Sequence, residues 1–169
     1  MYNSLKNILV ILLVSLISYS FSLCGNKKSV KEELTKSSSV IIGKILSIDT
    51  LTLVDSNQIK SPPDNRVIRE RGPLFAKICK YQVSTSRIFK GDFTKDTINV
   101  YSGLAPSSLS FVFKKNGTYI IYGNPDTNIF FNSDSGFIYP KGKNIIWVNK
   151  CSRTRYKNIR EIKEIEKHI

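Results

Sequence analysis

Few side chains in this sequence could carry out catalysis. The only histidine, His168, is the penultimate residue, and a histidine at a chain end lacks the fixed partners that acid–base catalysis needs. Cys79 lies between Lys77 and Lys80, and basic neighbours are typical of reactive cysteines. Because no histidine base lies near Cys79 in the sequence, we do not expect it to act as a nucleophile.

Sequence motifs of common enzyme classes are absent. The chain has no Gly-x-Ser-x-Gly, no Walker loop and no His-Glu-x-x-His. Asp126 and Asp134 lie in polar, loop-like segments without matching spacing, so we expect them to be solvated. The sequence therefore predicts no catalytic residue, no cofactor and no intrinsic metal site.

Cysteine is the other residue type that could do chemistry here, as a disulfide. The chain has three cysteines, Cys24, Cys79 and Cys151. An odd number leaves at least one thiol free unless it pairs between chains, and composition alone does not choose the pair. A bridge is expected only where the compartment is oxidising.

Residues 1–22 have the organisation of a secretory signal peptide. Lys6 precedes an apolar run at residues 8–17, and small serine side chains follow it. The run is short for a full crossing of a bilayer. The sequence therefore predicts export, which places the rest of the chain where disulfides form.

Signal-peptide cleavage is expected after Ser22, with Ser20 as the close alternative. Residues 23–169 would then form one secreted, periplasmic or cell-envelope domain. Lipid attachment at Cys24 is a further alternative. The lipoprotein pattern usually has a small residue directly before the cysteine, and Leu23 is bulky.

The chain is strongly basic, with a formal net charge of +13. Removing Lys6 with the signal peptide would leave +12. The basic residues are scattered in short doublets such as Lys114-Lys115, unlike the dense run of a nucleic-acid-binding arm. We expect no nucleic acid as partner. The charge would suit a structural or adhesive module that binds acidic polymers of the cell envelope.

The apolar pattern predicts a mostly β domain. Gly43 inside an apolar segment indicates a β-bulge or a sharp coiling of the sheet, and Asn116-Gly117 indicates a tight turn. Because small β domains protect their edges by closing, the strand count favours a five- to six-stranded, partly open barrel. The predicted strands cover residues 40–48, 51–54, 74–89, 97–101, 118–123 and 144–150.

A short helix is predicted at each end of the mature chain. Ser29 and Glu32 have the spacing of a capping box. Near the C-terminus, isoleucines recur at three- and four-residue steps, which predicts an amphipathic helix. We expect this isoleucine stripe to pack against the barrel. Its members are Ile159, Ile162, Ile165 and Ile169.

Five segments, taken in order, resemble bacterial proteins that are similar to tissue inhibitors of metalloproteinases. The resemblance covers nearly all of the mature chain, and it implies the netrin-like OB-fold. The last segment is the most specific. The five are a cysteine just after the signal peptide, residues 40–45, residues 81–91, residues 117–123, and Cys151-Ser152-Arg153-Thr154 before a terminal helix.

The resemblance also implies a disulfide between Cys24 and Cys151. The family pattern begins Cys-x-Cys, which falls here on Ser22-Leu23-Cys24, so the first cysteine is replaced. Its usual partner is missing too, since residues 106–111 contain no cysteine. The second family cysteine pairs with that of the Cys-Ser-Arg-Thr segment, which is Cys151 here. Cys79 would remain as a buried, inert thiol.

The resemblance implies a protein that binds a zinc metalloprotease. In the animal inhibitors, the amine and carbonyl of the first cysteine fill the open position of the protease zinc. Here the mature chain would begin one residue earlier, at Leu23. We expect a monomer that contacts its partner through the N-terminus and a nearby loop. The residues are Leu23, Cys24, Gly25, Ala105, Pro106, Ser107 and Ser108.

Overall fold

The computed structural model describes residue 24 and residues 28–56, 75–104, 109–125 and 136–169. These residues form two short helices and six strands, which confirms the mostly β prediction. The helices are α1 (Val30–Lys36) and α2 (Ile159–Glu166). The strands are β1 (Ser39–Val54), β2 (Phe75–Lys90), β3 (Thr97–Gly103), β4 (Thr118–Gly123), β5 (Ile145–Trp147) and β6 (Arg155–Tyr156).

The six strands form one mixed sheet in the order β5-β3-β2-β1-β4-β6. β3 and β5 are parallel, and the other neighbours are antiparallel. Within the described ranges, the sheet does not close into the predicted barrel. An isolated bridge between Asn124, just after β4, and Trp147 in β5 brings its two sides together. The two backbone hydrogen bonds of this bridge are 2.7 and 3.1 Å long.

β1 is longer than the sequence predicts. Two strands, at residues 40–48 and 51–54, were expected, but the structure has a single strand of 16 residues. Asp49 and Thr50 lie between the two expected strands and pair with β2 like their neighbours. Long-range pairing therefore keeps this polar stretch extended despite its weak local strand preference.

The pairing of β1 with β2 is irregular at Gly43, and the extra residue, Ser86, belongs to β2. The register between β1 and β2 shifts between Ile42 and Gly43. A Cβ atom at position 43 would overlap Cγ1 of Val83 in β2. Gly43 therefore allows the two strands to approach closely at the bulge.

Apolar side chains form a core on each face of the sheet. On one face, aromatic rings of β2, β4 and the segment before β4 pack together, including Tyr81, Phe113 and Tyr119. Phe113 contacts each tyrosine ring at a centroid distance of 4.8 Å. On the other face, both helices cover β1 and β4. That second core consists of Val30, Leu34, Val40, Ile42, Ile120, Tyr122 and Ile165.

The N-terminal helix begins as predicted. The Ser29 hydroxyl accepts a hydrogen bond from the backbone of Glu32 (3.2 Å), and the Glu32 carboxylate accepts from the backbone of Ser29 (2.7 Å). This capping box satisfies two backbone donors at the start of α1. No helix in the described ranges has both the length and the apolar character needed to cross a bilayer.

The isoleucine stripe of the C-terminal helix packs only in part. Ile165 is fully buried and Ile162 packs beside it. Ile159 and Ile169 are each 71% exposed, so the expectation that all four would pack was wrong. Ile159 is the first residue of α2 and Ile169 lies beyond its end. Both therefore extend past the apolar surface that the sheet offers.

Candidate functional site

A disulfide joins Cys24 to Cys151, as the resemblance implies. Their Cα atoms lie 5.0 Å apart, and the two residues are 127 positions apart in sequence. A loop of that length corresponds to a stabilisation of about 4–5 kcal/mol in the chain-entropy model. Cys79 is a free, buried cysteine, as predicted. Cys24 is thus tied to the segment that follows β5.

The side chain of Asn149 fixes the turn that carries Cys151. Its Oδ1 accepts hydrogen bonds from the backbone N–H groups of Cys151 (2.8 Å) and Ser152 (2.9 Å). The Ser152 hydroxyl donates in return to the Asn149 carbonyl (2.9 Å). Asn149 is buried. These bonds give Cys151 a defined orientation toward Cys24.

Arg153 connects the N-terminal segment to both helices. Its Nη1 donates to the carbonyl of Lys28 (2.7 Å), and its backbone N–H donates to Glu33 in α1 (3.3 Å). Its Nε and Nη2 donate to the two carboxylate oxygens of Glu161 in α2 (2.5 and 2.9 Å). A guanidinium offers these donors in a rigid planar fork, which a lysine does not have.

Glu161 is a buried carboxylate that accepts hydrogen bonds from three residues. Besides Arg153, it accepts hydrogen bonds from Tyr122 Oη (2.8 Å) and Arg155 Nη1 (3.1 Å). Burial raises the pKa of the Glu161 carboxyl, but the hydrogen bonds from Arg153 and Tyr122 and the nearby positive charges outweigh it. The pKa of Glu161 therefore lies below its ordinary value. The hydrogen bond to Glu161 raises the pKa of Arg153.

Thr154 attaches this segment to β4. Its Oγ1 accepts a hydrogen bond from the backbone N–H of Tyr122 (3.0 Å) and donates to the Tyr122 carbonyl (3.1 Å). One buried hydroxyl thereby satisfies both backbone groups of a strand residue. The pairing of β6 with β4 follows directly after it, at Arg155 and Tyr156.

A small polar cleft of about 210 Å³ lies beside the disulfide. Glu33 lines it and is 3% exposed, with its Oε2 3.3 Å from Lys28 Nζ. The cleft is smaller than typical sites for small organic ligands, which span roughly 300–1,000 Å³. The rest of its lining includes Ser37, Tyr122, Asn124, Asn149 and Ser152.

The predicted contact loop, residues 105–108, is followed by a residue that bonds next to the disulfide. The carbonyl of Leu109 accepts a hydrogen bond from the backbone N–H of Lys150 (2.9 Å), the residue before Cys151. The Ser110 hydroxyl donates to the carbonyl of Leu104 (2.9 Å), which holds the two ends of the loop together. The structure therefore brings the base of this loop beside the tethered N-terminal segment.

The predicted contact residues are described only in part. Cys24 lies at the disulfide, as stated above. The others lie outside the residues that the structure describes, as does the predicted signal peptide at residues 1–22. These others are Leu23, Gly25, Ala105, Pro106, Ser107 and Ser108.

The side chains considered for catalysis occupy separate positions. His168 Nε2 lies 3.4 Å from Glu164 Oε1 at the end of α2. Cys79 is buried in the core, and Asp126 and Asp134 lie outside the described residues. In the described part of the chain, no group of three or more His, Cys, Asp or Glu side chains could hold a metal ion.

Sequence reasoning missed the contacts of Arg153 and Thr154. Their signal was present, because both belong to the Cys-Ser-Arg-Thr segment on which the resemblance depends most. The segment predicted only the disulfide of Cys151. The structure adds an arginine that ties three segments together and a threonine that attaches to β4.

No protein-family model matches this sequence, and no curated protein matches it. The functional proposal therefore depends on the geometry of the tethered N-terminal segment and on the order of the five segments along the chain.

Proposed function

We propose that this chain is an exported netrin-like OB-fold domain that binds a zinc metalloprotease through its N-terminus. The observation that carries the proposal is the position of Cys24. It is bonded to Cys151. The preceding residue, Lys150, donates a backbone hydrogen bond to Leu109, which follows the predicted contact residues 105–108. Two segments far apart in sequence would thus form one contact surface, without catalytic residues of their own.

Strand order supports the OB-fold assignment. An OB-fold is a five-stranded, partly open Greek-key barrel. Here β1 lies between β2 and β4, and β3 lies between β2 and β5. The bridge from Asn124 to Trp147 lies where β4 and β5 would close such a barrel. β6 extends the sheet beyond β4 and would be an addition to the fold.

Restraints on Cys24, Lys28 and Ser29 support a binding role. A segment that is already ordered loses less conformational entropy when it enters a partner's cleft. The disulfide, the Arg153 bond to the Lys28 carbonyl and the capping box at Ser29 all restrain this segment.

The α-amine of the mature chain would supply the metal contact. A catalytic zinc site has three protein ligands and an open fourth position. A neutral amine can occupy that position, and the usual pKa of an α-amino group, about 7.7–8.0, leaves part of it neutral near pH 7. Zinc would favour the neutral form further by coordination. The zinc belongs to the protease, so the proposal needs no metal in this chain.

The disulfide also supports a soluble form over a lipid-anchored one. Lipid attachment to an exported protein would need the thiol of Cys24 as its acceptor. That thiol is bonded to Cys151, and one sulfur atom cannot do both. We therefore propose a secreted or periplasmic monomer.

Inhibition assays against a panel of zinc metalloendopeptidases test this function. Protein purified after export should inhibit at least one enzyme, and adding a single alanine before its first residue should abolish that inhibition. A matched control carries the extra alanine at the C-terminus, after Ile169, and should inhibit like the unmodified protein.

Two results would overturn the proposal. If the N-terminally extended protein inhibits as well as the unmodified one, the amine is not the metal contact. If the unmodified, disulfide-bonded protein inhibits no enzyme of the panel and binds none, a zinc protease is not the partner.

A further inference from the structure

A hydrogen-bonded turn at residues 114–117 lies at the start of β4. Asn116 has a positive φ of 65°, and its N–H donates to the Ile45 carbonyl in β1 (2.9 Å). The N–H of Ile45 donates in turn to the Gly117 carbonyl (2.9 Å). The turn is therefore held against the middle of β1.

The segment before α2 reaches the same place. The backbone N–H of Lys157 donates to the carbonyl of Thr118, the first residue of β4 (2.9 Å). Thr118 is also the partner of Lys44 in the ladder between β1 and β4. Three parts of the chain that are distant in sequence thus meet around one end of a single strand.

Exposed cations surround this meeting point. The three segments contribute one lysine from β1, two from the turn, and a lysine and an arginine from the start of α2. All five are exposed. We call them the basic turn surface: Lys44, Lys114, Lys115, Lys157 and Arg160.

No carboxylate from these segments offsets that charge. Residues 39–48, 109–119 and 150–160 contain no aspartate or glutamate. The glutamates of α2 are already paired with cations outside the basic turn surface. Glu161 pairs with Arg153 and Arg155, Glu164 with Lys167 and His168, and Glu166 with Arg87.

Exposed apolar side chains belong to the same chain segments. Tyr156 and Ile159 flank Lys157 and are 51% and 71% exposed. Val112, two residues before Lys114, is 59% exposed. The Tyr156 ring stacks on Tyr119 at 4.3 Å, which holds it in a fixed orientation beside the turn.

We propose that the basic turn surface docks on an anionic lipid bilayer. Lysine and arginine are attracted to anionic headgroups near the membrane surface, and exposed aliphatic and aromatic side chains can enter the interface below those headgroups. A soluble acidic polymer would use the cations but leave Val112 and Ile159 in water. The combination of both side-chain types therefore favours lipid.

The turn of this surface lies at the opposite end of β4 from the tethered N-terminal segment. The turn precedes Thr118 at one end of β4, whereas Ser38 bonds to Asn124 beyond the other end, beside the polar cleft. Six residues of strand span about 17 Å. A chain docked by the basic turn surface would leave its N-terminal segment free for a protein partner. The docking proposal does not depend on the function proposed for that segment.

Vesicle binding of the exported, purified protein tests this proposal. Phosphatidylcholine vesicles containing phosphatidylglycerol should bind it, and vesicles of phosphatidylcholine alone should not. Lys114→Gln/Lys115→Gln should weaken binding about fivefold per charge, or about thirtyfold in total. The control Lys31→Gln/Lys77→Gln removes the same charge from exposed positions on α1 and β2 and should bind nearly as the parent does.

A second pair of substitutions separates lipid from polymer. Val112→Ser/Ile159→Ser leaves the charge unchanged and replaces exposed side chains, so folding is not at risk. It should weaken binding to the vesicles about tenfold and leave binding to soluble polyglutamate unchanged. Unaltered vesicle binding by this variant would overturn lipid docking and favour an acidic polymer. Equal losses of vesicle affinity for Lys114→Gln/Lys115→Gln and for the control Lys31→Gln/Lys77→Gln would show that only net charge matters. That result also contradicts the proposal.

Discussion

At the scale of single residues, Arg153 and Glu161 hold the candidate site together. Arg153 donates a hydrogen bond to the Lys28 carbonyl. Glu161 accepts hydrogen bonds from Arg153, Arg155 and Tyr122. A buried carboxylate without such partners would be costly to ionise. Arg153 and Glu161 lie at the base of the N-terminal segment. Loss of the charge on either residue would therefore loosen the segment that the proposed function needs.

Glu161→Gln should destabilise the fold by about 2–3 kcal/mol at neutral pH, since it leaves a half-buried arginine without its carboxylate. Because the pKa of Glu161 is below its ordinary value of 4.5, its ionised form stabilises the folded state above that value. This stabilisation is lost as the pH falls through the folded pKa. The difference between parent and variant should therefore shrink on acidification. Denaturant unfolding at several pH values measures it.

Glu164→Gln is the matched control on the same helix. Glu164 pairs with Lys167 and His168 at the surface, where ion pairs contribute little to stability. This variant should unfold like the parent at neutral pH. If Glu161→Gln and Glu164→Gln have the same stability, the buried network does not hold α2 in place.

At the scale of elements, β1 is the strand that connects both cores. It pairs with β2 on one side and with β4 on the other. Because side chains alternate along a strand, Ile41 and Ile45 lie in one core while Val40 and Ile42 face the other. Gly43 lies between them, where β1 and β2 approach closely.

Gly43→Ala should cost about 1–3 kcal/mol, because the added methyl group overlaps the Val83 side chain. Val83→Ala alone creates a cavity and is also destabilising. The double variant should lose clearly less stability than the sum of the two single changes. The shorter side chain at position 83 leaves room for the methyl group added at position 43, and that methyl group partly fills the cavity. Unfolding free energies from a double-mutant cycle measure this coupling. Strict additivity would show that the two side chains do not compete for space.

Local patterns predicted most elements but not their long-range connections. Alternating apolar residues predicted β3, apolar composition predicted β4, and Ser29 with Glu32 predicted the start of α1. The two-residue strand β6 carries no periodic signal, because it depends on the attachment of Thr154 to Tyr122. The hydrogen bonds of Glu161 could not be predicted from local patterns either. Their donors come from Tyr122 in β4 and from Arg153 and Arg155 before α2. The disulfide was predicted only through the resemblance, because composition left three possible pairs.

At the scale of the whole molecule, β4 separates two candidate surfaces. The tethered N-terminal segment lies near its C-terminal end, and the basic turn surface lies at its N-terminal end. A chain with both activities would hold a protein-binding segment away from a membrane. This arrangement requires the N-terminal segment to be fixed to the sheet, which is the role of the Cys24–Cys151 bond.

Peptide mapping of the exported protein without reduction tests this requirement most directly. The expected result is a cross-linked pair of peptides that contain Cys24 and Cys151, with Cys79 recovered as a free thiol after alkylation of the unfolded protein. Recovery of Cys24 in a bond to Cys79, or as an unpaired or acylated residue, would contradict the tethered N-terminus and the function proposed for it.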